Sequence, residues 1–504
     1  MLFNSYGFLF AFLPLTLAGV GICRQIARVK WRNGRLHRLP GIFLLAASLF
    51  FYALGGIRHL PFLLGSMAVN FGLGRWIEQS EKTKTRKRIL TVGLVFHLGA
   101  LVLFKYLEGG RFMPLAVSFY TFTQVAFLVE CYGGKLKGVD GLSYGLVITY
   151  FPKMIQGPIA LWGEFLPQIQ ETYGRGKGSA IKNTKGWDWE RIFRCCYLFV
   201  LGLFKKALIA DTLGKAVDLG YASLSGLHSW DAVIVMVSYT LQLYFDFSGY
   251  CDMAMGISGL FGVELPINFR SPYKAVHIVD FWKRWHITLT GFFTRYVYIP
   301  LGGSRKGRTR TYVNVLAVFL VSGIWHGTGA QFLVWGMMHG VLYVITRAVM
   351  ESKGFARVSE KYEKMRGWGK RLLGGLSVAL TFAYVNVAWV FFRAPSVKDG
   401  VELLKSIVSF QGGRVNRELA ACFNLDEFWY VIKVLGIDGW QYAYEICMVW
   451  ILAGAVLLVF FGRTAGDHVK RAKPKVIHGV VMAALFLWSV LSLTGVSSFL
   501  YVNF

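Results

Sequence analysis

The chain has 504 residues, of which 55% are hydrophobic and only 16% are charged. Soluble domains carry roughly 25% charged residues, so this composition excludes an ordinary water-soluble globular protein. The formal net charge of +28 would suit a nucleic-acid-binding protein, but the cations gather in short loops between apolar runs. That distribution is typical of a membrane protein, and no nucleic-acid partner is predicted.

Apolar runs recur along the chain and approach the roughly 20 residues that a helix needs to cross a bilayer. With their semipolar flanks they predict an all-α polytopic integral membrane protein with about 10–12 transmembrane helices plus re-entrant segments. The first run, 6–20, precedes its cations and is predicted to be an uncleaved helix with its N-terminus outside. The other clear runs are 42–54, 89–103, 233–245, 376–392, 448–461 and 480–493.

Five basic clusters orient these helices, because loops rich in lysine and arginine stay on the cytoplasmic side. The clusters lie at 24–38, 82–88, 305–310, 353–371 and 463–475. Fixing them inside predicts a helical hairpin at 39–57 and 59–78, an exit at 376–392, a return at 443–462 and a last crossing at 477–496. The C-terminus is then predicted to lie outside.

The chain is predicted to form one membrane domain over residues 1–504. Its N-terminal helices occupy 1–160, its core occupies 161–349 and its C-terminal helices occupy 350–504. Residues at about 394–440 carry mixed charge and are predicted to form the largest extracytoplasmic segment. The seven cysteines are dispersed without metal or disulfide spacing, so no metal site is predicted.

His326 lies between two apolar runs, 316–321 and 332–344. Residues 311–349 must leave and re-enter the cytoplasmic side, so His326 is predicted near the turn of a helical hairpin. An ionisable group at membrane depth is costly unless it faces a polar cavity, and imidazole can move protons near neutral pH. His326 is therefore a candidate catalytic base, and the alternative is a buried histidine satisfied by a backbone carbonyl.

Two carboxylates, Asp246 and Asp252, follow the apolar run at 233–245. On one helix they lie about 120° apart, which argues against a pair that shares a proton. Asp246, grouped with Ser248, is predicted to orient a histidine or to contact substrate. The alternative is a carboxylate at the end of a helix that is hydrogen-bonded within the bundle.

The segment after this run contains two helix-breaking prolines, which place Asn268 and Arg270 on irregular backbone available to a ligand. The following sequence, Phe-Trp-Lys-Arg-Trp-His at 281–286, combines two cations and two indoles with His286. If it is helical, Trp282 and His286 share a face. An interfacial aromatic and cationic anchor is the alternative interpretation.

The Gly-Gly turn at 302–303 is followed by the cations of the third cluster. Its backbone N–H groups could hold a diphosphate, although the spacing is not that of a known phosphate loop. A plain cytoplasmic turn is the alternative.

The order of the motifs at 281–286 (FWKRWH), 298–303 (YIPLGG) and 325–327 (WHG) resembles the membrane-bound O-acyltransferase family. The resemblance extends from Phe3-Asn4-Ser5 to 389–394. It is strongest to the bacterial branch that contains the alginate O-acetyltransferase membrane subunit and the D-alanyl-transfer protein of teichoic acids. The segments 151–159 and 391–394 favour the alginate side of that branch.

The resemblance implies a ring of helices around a central funnel or tunnel, with His326 as the catalytic histidine and His286 at the family's second polar position. It also implies transfer of an acetyl group from a cytoplasmic donor, acetyl-CoA, across the bacterial cell membrane for O-acetylation of an exopolysaccharide or cell-wall glycan. An extracytoplasmic hydrolase-like partner is expected to complete the transfer, and no bound cofactor is expected. The predicted substrate-binding residues are Gln156, Asp246, Ser248, Asn268, Arg270, Trp282, Lys283, Arg284, Trp285 and Trp325.

Other functions remain open on the residues alone. The same fold can transfer D-alanine to teichoic acid, and a transporter or flippase for an envelope precursor would also need polar groups in a membrane cavity. A third alternative is a scaffold on which an extracytoplasmic acyltransferase docks. His326 itself could act as a base or could carry the acyl group for a moment.

Overall fold

A computed structural model describes residues 1–29, 36–107, 112–173, 188–436, 439–493 and 499–500. Every regular element in these ranges is helical. The described residues include seven helices long and apolar enough to cross a membrane, namely Phe8–Ala27, Leu36–Ala53, Thr83–Leu107, Ser229–Leu260, Ala330–Met350, Trp368–Arg393 and Ala443–Phe460. The predicted all-α polytopic membrane class is thereby confirmed, because lipid admits a spanning chain only when its backbone is bonded internally. The ring and funnel stay predictions.

The chain forms two compact units. The first contains Met1–Leu203, Tyr250–Pro266 and Val469–Phe504, and the second contains Phe204–Gly249 and Ile267–His468. The helices that lie within the first unit are Leu13–Val29, Leu39–Ala53, Leu60–Gln79, Thr83–Val102, Val117–Tyr132, Gly141–Thr149, Phe151–Met154, Trp162–Tyr173 and Val476–Leu491. Trp189–Phe204, Ser229–Leu260 and Ala465–Arg471 run from one unit into the other.

The first unit holds a buried polar network that is internally satisfied. Tyr144 donates to Asn70 Oδ1 at 2.8 Å, which leaves the Asn70 amide nitrogen as a donor. That nitrogen lies 2.8 Å from His97 Nε2 and 3.2 Å from the Gln124 carbonyl oxygen. Because each of these contacts pairs a donor with an acceptor, the network is expected to stabilise the packing of the helices that carry it.

The second unit contains most of the polar residues that the motifs single out. Its helices are Asp211–Ala222, Ile278–Trp282, Ile287–Phe293, Arg308–His326, Ala330–Met350, Lys353–Lys364, Trp368–Arg393, Val397–Val408, Arg417–Ala421, Asp426–Val434 and Ala443–Phe460, with π-helical turns at Lys205–Ala210 and Thr294–Tyr298. The predicted outer segment at 394–440 therefore contains three short helices, with residues 437–438 outside the described part. The predicted boundaries at 160 and 349 stay predictions.

Two helices of the second unit, Arg308–His326 and Ala330–Met350, form a tightly packed pair that we call the histidine hairpin. A Cβ atom on Gly336 would lie 2.6 Å from the carbonyl oxygen of Phe319, and one on Gly323 would lie 2.6 Å from that of Phe332. Only glycine allows two backbones to approach this closely. His326 is the last residue of the first helix, so the structure agrees with the prediction that it lies near the turn.

The chain from Asn268 to Ile287 is held together by backbone hydrogen bonds and contains no long helix. Arg270 N donates to the Arg284 carbonyl oxygen, and Ile287 N donates to that of Asn268, both at 3.0 Å. His286 has a left-handed backbone with φ of 44°, which is strained for a residue with a Cβ atom. The helix Ile278–Trp282 ends before it, so the predicted shared helical face of Trp282 and His286 was wrong.

Candidate active site around two histidines

His326 is 3% exposed and lies among aromatic rings. Its imidazole meets the ring of Trp335 at a centroid distance of 5.0 Å and that of Phe392 at 5.0 Å, both edge to face. Trp325, which was predicted to bind substrate, lies 4.6 Å from the same imidazole. Such an enclosure keeps bulk water away from the imidazole, whose neutral form is the one that can accept a proton.

The orientation of the His286 ring is set by Asn268. The Asn268 Oδ1 atom accepts from Thr288 N at 3.2 Å and from Thr288 Oγ1 at 2.9 Å, which identifies it as the oxygen of the amide. The same oxygen lies 3.1 Å from His286 Nδ1. An amide oxygen can only accept, so Nδ1 carries the proton and Nε2 of the neutral ring is the acceptor.

Aromatic side chains connect the two motif regions. Trp389 lies 5.7 Å from Trp335, 5.3 Å from Phe392 and 5.0 Å from Trp285. Trp335 and Phe392 touch His326, and Trp285 precedes His286 in the chain. The structure thus places Trp325 directly against His326 and connects Trp285 to it through Trp389 and Trp335.

A cavity of about 230 Å³ lies in the second unit beside the histidine hairpin. Trp282, Phe319 and other apolar side chains form most of its wall, and its charged lining residues are Lys283 and Arg347. Of the predicted cations, Lys283 therefore lines this cavity. Arg284 instead pairs with Asp280 at 2.9 Å, and the side chain of Arg270 is exposed.

Arg347 is held at the cavity by the carboxylate that follows its helix. The Arg347 Nε atom donates to Glu351 Oε1 at 2.9 Å, and the Tyr312 hydroxyl donates to Oε2 at 3.0 Å. These hydrogen bonds, that from Arg347 first, lower the pKa of Glu351. The carboxylate therefore stays ionised at neutral pH and keeps the guanidinium in place.

Asp246 lies in the interior of the helix Ser229–Leu260, so its predicted alternative position at a helix end was wrong. The ammonium group of Lys206 lies 2.8 Å from Asp246 and 2.7 Å from Asp211. Lys205 donates to Ser248 at 3.4 Å. A buried charge needs a partner of opposite sign. The ion pair with Lys206 therefore favours the alternative that the Asp246 carboxylate is bonded within the bundle.

A sequence profile of the membrane-bound O-acyltransferase family matches residues 132–368. A peptidoglycan O-acetyltransferase of Helicobacter pylori is 34% identical over 457 residues, which span 82% of this chain and 80% of that protein. The chain belongs to the membrane-bound O-acyltransferase family. The resemblance carried by the three motifs is confirmed.

Two further relatives define the range of this O-acyltransferase branch. A probable alginate O-acetylase AlgI of Pseudomonas aeruginosa is 30% identical over 81% of this chain and 75% of that protein. A teichoic acid D-alanyltransferase of Bacillus subtilis is 26% identical over 55% of this chain and 68% of that protein. The chain is therefore a multi-pass membrane acyltransferase, as the motifs predicted.

Some predicted and some unexpected residues of the acyltransferase lie apart from these motifs. Gln156 belongs to the first unit, where it is 0% exposed and its amide has no hydrogen-bond partner among the described residues. Its predicted role stays a prediction. The motifs do not include Lys206 and His339. His339 follows Trp335 at helical spacing within an apolar run, and a search for buried polar residues would have found this signal.

Proposed function

We propose that this acyltransferase uses acetyl-CoA to O-acetylate a glycan of the bacterial cell envelope, either a cell-wall glycan or an exopolysaccharide. The observation that carries the proposal is the enclosure of His326 by aromatic rings at the tip of the histidine hairpin. Relatives named as peptidoglycan and alginate O-acetylating enzymes support the acetyl group and the glycan acceptor.

The cavity beside the hairpin supports the choice of donor. Acetyl-CoA carries phosphates at one end and a thioester at the end of a long arm. Lys283 and Arg347 supply cations at the cavity, and both can bind phosphate oxygens. The positive-inside rule puts Arg347, next to the fourth basic cluster, on the cytoplasmic side where the donor is found.

The proposed chemistry needs one base and a dry site. As the acceptor hydroxyl attacks the thioester carbonyl carbon, its proton moves to a ring nitrogen of neutral His326. The new C–O bond forms, the C–S bond breaks, and the leaving thiolate takes a proton from the imidazolium. In the two-step alternative, the His326 nitrogen attacks the thioester carbonyl and the C–S bond breaks to release the thiolate. The acetylated imidazole then passes the acetyl group to the hydroxyl, whose proton goes to the thiolate.

His286 is proposed to support this step from its fixed orientation. With Nδ1–H directed at Asn268, its Nε2 atom is the acceptor of the ring. A group of this kind can hold the acceptor hydroxyl or a water in line without itself becoming charged. The aromatic surroundings exclude bulk water, which protects the thioester from hydrolysis.

A hydrolase-like protein outside the cytoplasmic membrane is proposed to supply the hydroxyl that receives the acetyl group at His326 and then to pass that group to the glycan. The helices Val397–Val408, Arg417–Ala421 and Asp426–Val434 lie in the segment predicted to face that side. Because the described residues of that segment form only three short helices, a partner is the simplest source of the final glycan specificity.

Replacing His326 with alanine tests the proposal. Expressed together with the neighbouring envelope genes, the His326→Ala protein should lose at least about 100-fold in acetyl transfer, because general base catalysis contributes roughly 10²–10⁴-fold. The measurement is ester-linked acetate released by mild base from purified peptidoglycan and exopolysaccharide.

The matched control is His468→Ala, which removes an exposed histidine. It should leave acetylation unchanged at equal protein level. Normal acetate in the His326→Ala strain would overturn the catalytic role. Loss of ester-linked D-alanine in place of acetate would instead identify the D-alanyl transfer named for the Bacillus subtilis relative.

A further inference from the structure

His339 is a second histidine of the histidine hairpin, and neither of its ring nitrogens has a hydrogen-bond partner in the part of the chain that the structure describes. The side chain is 0% exposed. Its ring lies 5.1 Å from Trp282, 5.3 Å from Trp335 and 5.8 Å from Trp389. A buried donor or acceptor without a partner typically costs about 1–3 kcal/mol, so two on one ring call for an explanation.

The indole groups around His339 also lack hydrogen-bond partners among the described residues. Among the described residues, the N–H groups of Trp282, Trp335 and Trp389 are buried and make no hydrogen bond. Three donors and an imidazole with one donor and one acceptor therefore share one aromatic enclosure, which we call the His339 cage. Core packing alone would favour phenylalanine or leucine at such positions, because those side chains carry no polar atom.

The helix Ala330–Met350 connects the cage with both functional regions. Trp335, His339, Tyr343 and Arg347 recur at intervals of four residues and so follow one face of the helix. Trp335 contacts His326, whereas Tyr343 and Arg347 line the cavity. His339 thus lies between the cavity and the candidate catalytic histidine along this face, within about 12 Å of helix from Trp335 to Tyr343.

Trp282 and Phe319 separate the cavity from the cage. Both residues line the cavity, and both also contact the His339 ring, Phe319 at a centroid distance of 6.4 Å. They are 5.2 Å from each other. These two rings therefore form the wall that the cavity and the cage share.

We propose that the His339 cage binds the amide groups of a pantetheine-type donor arm while its thioester reaches His326. This inference rests on the proposed function and adds the part of the donor that is recognised. A neutral imidazole presents one N–H and one acceptor nitrogen, which complement the C=O and N–H of a secondary amide. The pantetheine arm has two such amides, and the indole N–H groups can donate to its carbonyl oxygens.

The test compares two acetyl donors in membranes that contain the full chain and its envelope partners. Acetyl-pantetheine has the amides, and S-ethyl thioacetate lacks them. Loss of a buried hydrogen-bonded pair should lower kcat/KM of His339→Phe for acetyl-pantetheine by about tenfold or more. Its kcat/KM for S-ethyl thioacetate should stay within about twofold of wild type. The preference between the donors, measured as acetate ester formed on the glycan, should therefore collapse.

His339→Gln restores a donor and an acceptor and should recover most of the preference, while His468→Phe is the surface control. Equal losses for both donors, or no loss in His339→Phe protein of normal thermal stability, would overturn the inference. The proposed function fails separately if the wild-type protein transfers acetyl from none of the three donors, acetyl-pantetheine, S-ethyl thioacetate and acetyl-CoA. If His339→Phe does not fold, the preference of the folded His339→Gln protein for acetyl-pantetheine over S-ethyl thioacetate decides. A preference equal to that of the wild type supports the cage, and loss of the preference overturns it.

Discussion

Asn268 shows how a single side chain can organise the candidate site. One amide oxygen holds the start of the helix Ile287–Phe293 through two bonds from Thr288 and also fixes the tautomer of His286. These contacts join two stretches of chain whose backbones are already bonded to each other. If the Asn268 side chain is removed, the orientation of the neighbouring His286 imidazole is therefore expected to change as well.

The variant Asn268→Leu should therefore lose both stability and activity. Leucine has a similar volume but accepts no hydrogen bond, so the Thr288 and His286 donors are left buried without this acceptor. Each such group typically costs about 1–3 kcal/mol, which predicts a clear fall in the Tm of the purified protein in detergent.

The control for this change is Asn424→Leu, since the Asn424 side-chain oxygen makes no hydrogen bond within the described residues. Its Tm should stay close to that of the wild type. Equal Tm values for the two variants would show that Asn268 is not the organising residue.

At the scale of elements, the histidine hairpin depends on glycine. Gly323 and Gly336 bring the backbones of its two helices into contact, and this contact fixes the position of His326 and the face that carries His339. Helices in lipid lack a hydrophobic driving force toward each other, so close backbone approach supplies much of their attraction. The hairpin is therefore expected to be rigid where the chemistry is proposed.

The variant Gly336→Ala should force the hairpin open. Its Cβ would lie 2.6 Å from a backbone oxygen, which cannot rotate away as a side chain can. Overpacking of this kind typically costs about 1–3 kcal/mol, and the displaced His326 should lower acetyl transfer as well. Thermal unfolding and glycan acetate measure the two effects.

Gly454→Ala is the matched change in another membrane helix, Ala443–Phe460, where an added Cβ meets nothing within 4 Å. It should be neutral or slightly stabilising, because alanine favours a helix over glycine. If Gly336→Ala behaved in the same way, close backbone approach would not be what holds the hairpin.

At the scale of the whole molecule, the charge distribution predicts which loops face the cytoplasm. The fourth basic cluster coincides with the helix Lys353–Lys364, which has no buried residue and follows the end of the hairpin. The segment with Val397–Val408 and Arg417–Ala421 is predicted on the opposite side. The cavity and the predicted extracytoplasmic segment would then lie at opposite ends of the second unit.

Cysteine labelling tests this orientation in a protein whose seven native cysteines are replaced by alanine. An impermeant maleimide should react with Arg414→Cys in spheroplasts, but with Lys361→Cys only after the membrane is permeabilised. Both positions are exposed, so their intrinsic reactivity is comparable. Equal labelling of both in intact spheroplasts would rule out the predicted orientation.

The sequence by itself determined the class and the family, and it predicts a catalytic role for His326. Apolar run lengths predict helices because lipid leaves the backbone few other choices, and the three ordered motifs predict the acyltransferase. These are local signals, each contained within a few tens of residues.

Only the tertiary structure decided which side chains meet. The bond of His286 to Asn268, the pairing of Lys206 with Asp246 and the cage around His339 all join residues from separate segments. A pattern along one chain carries no distance between segments, so it could not distinguish a solvated cation from a buried partner. That distinction depends on packing, since burial decides how strongly charges and hydrogen bonds act.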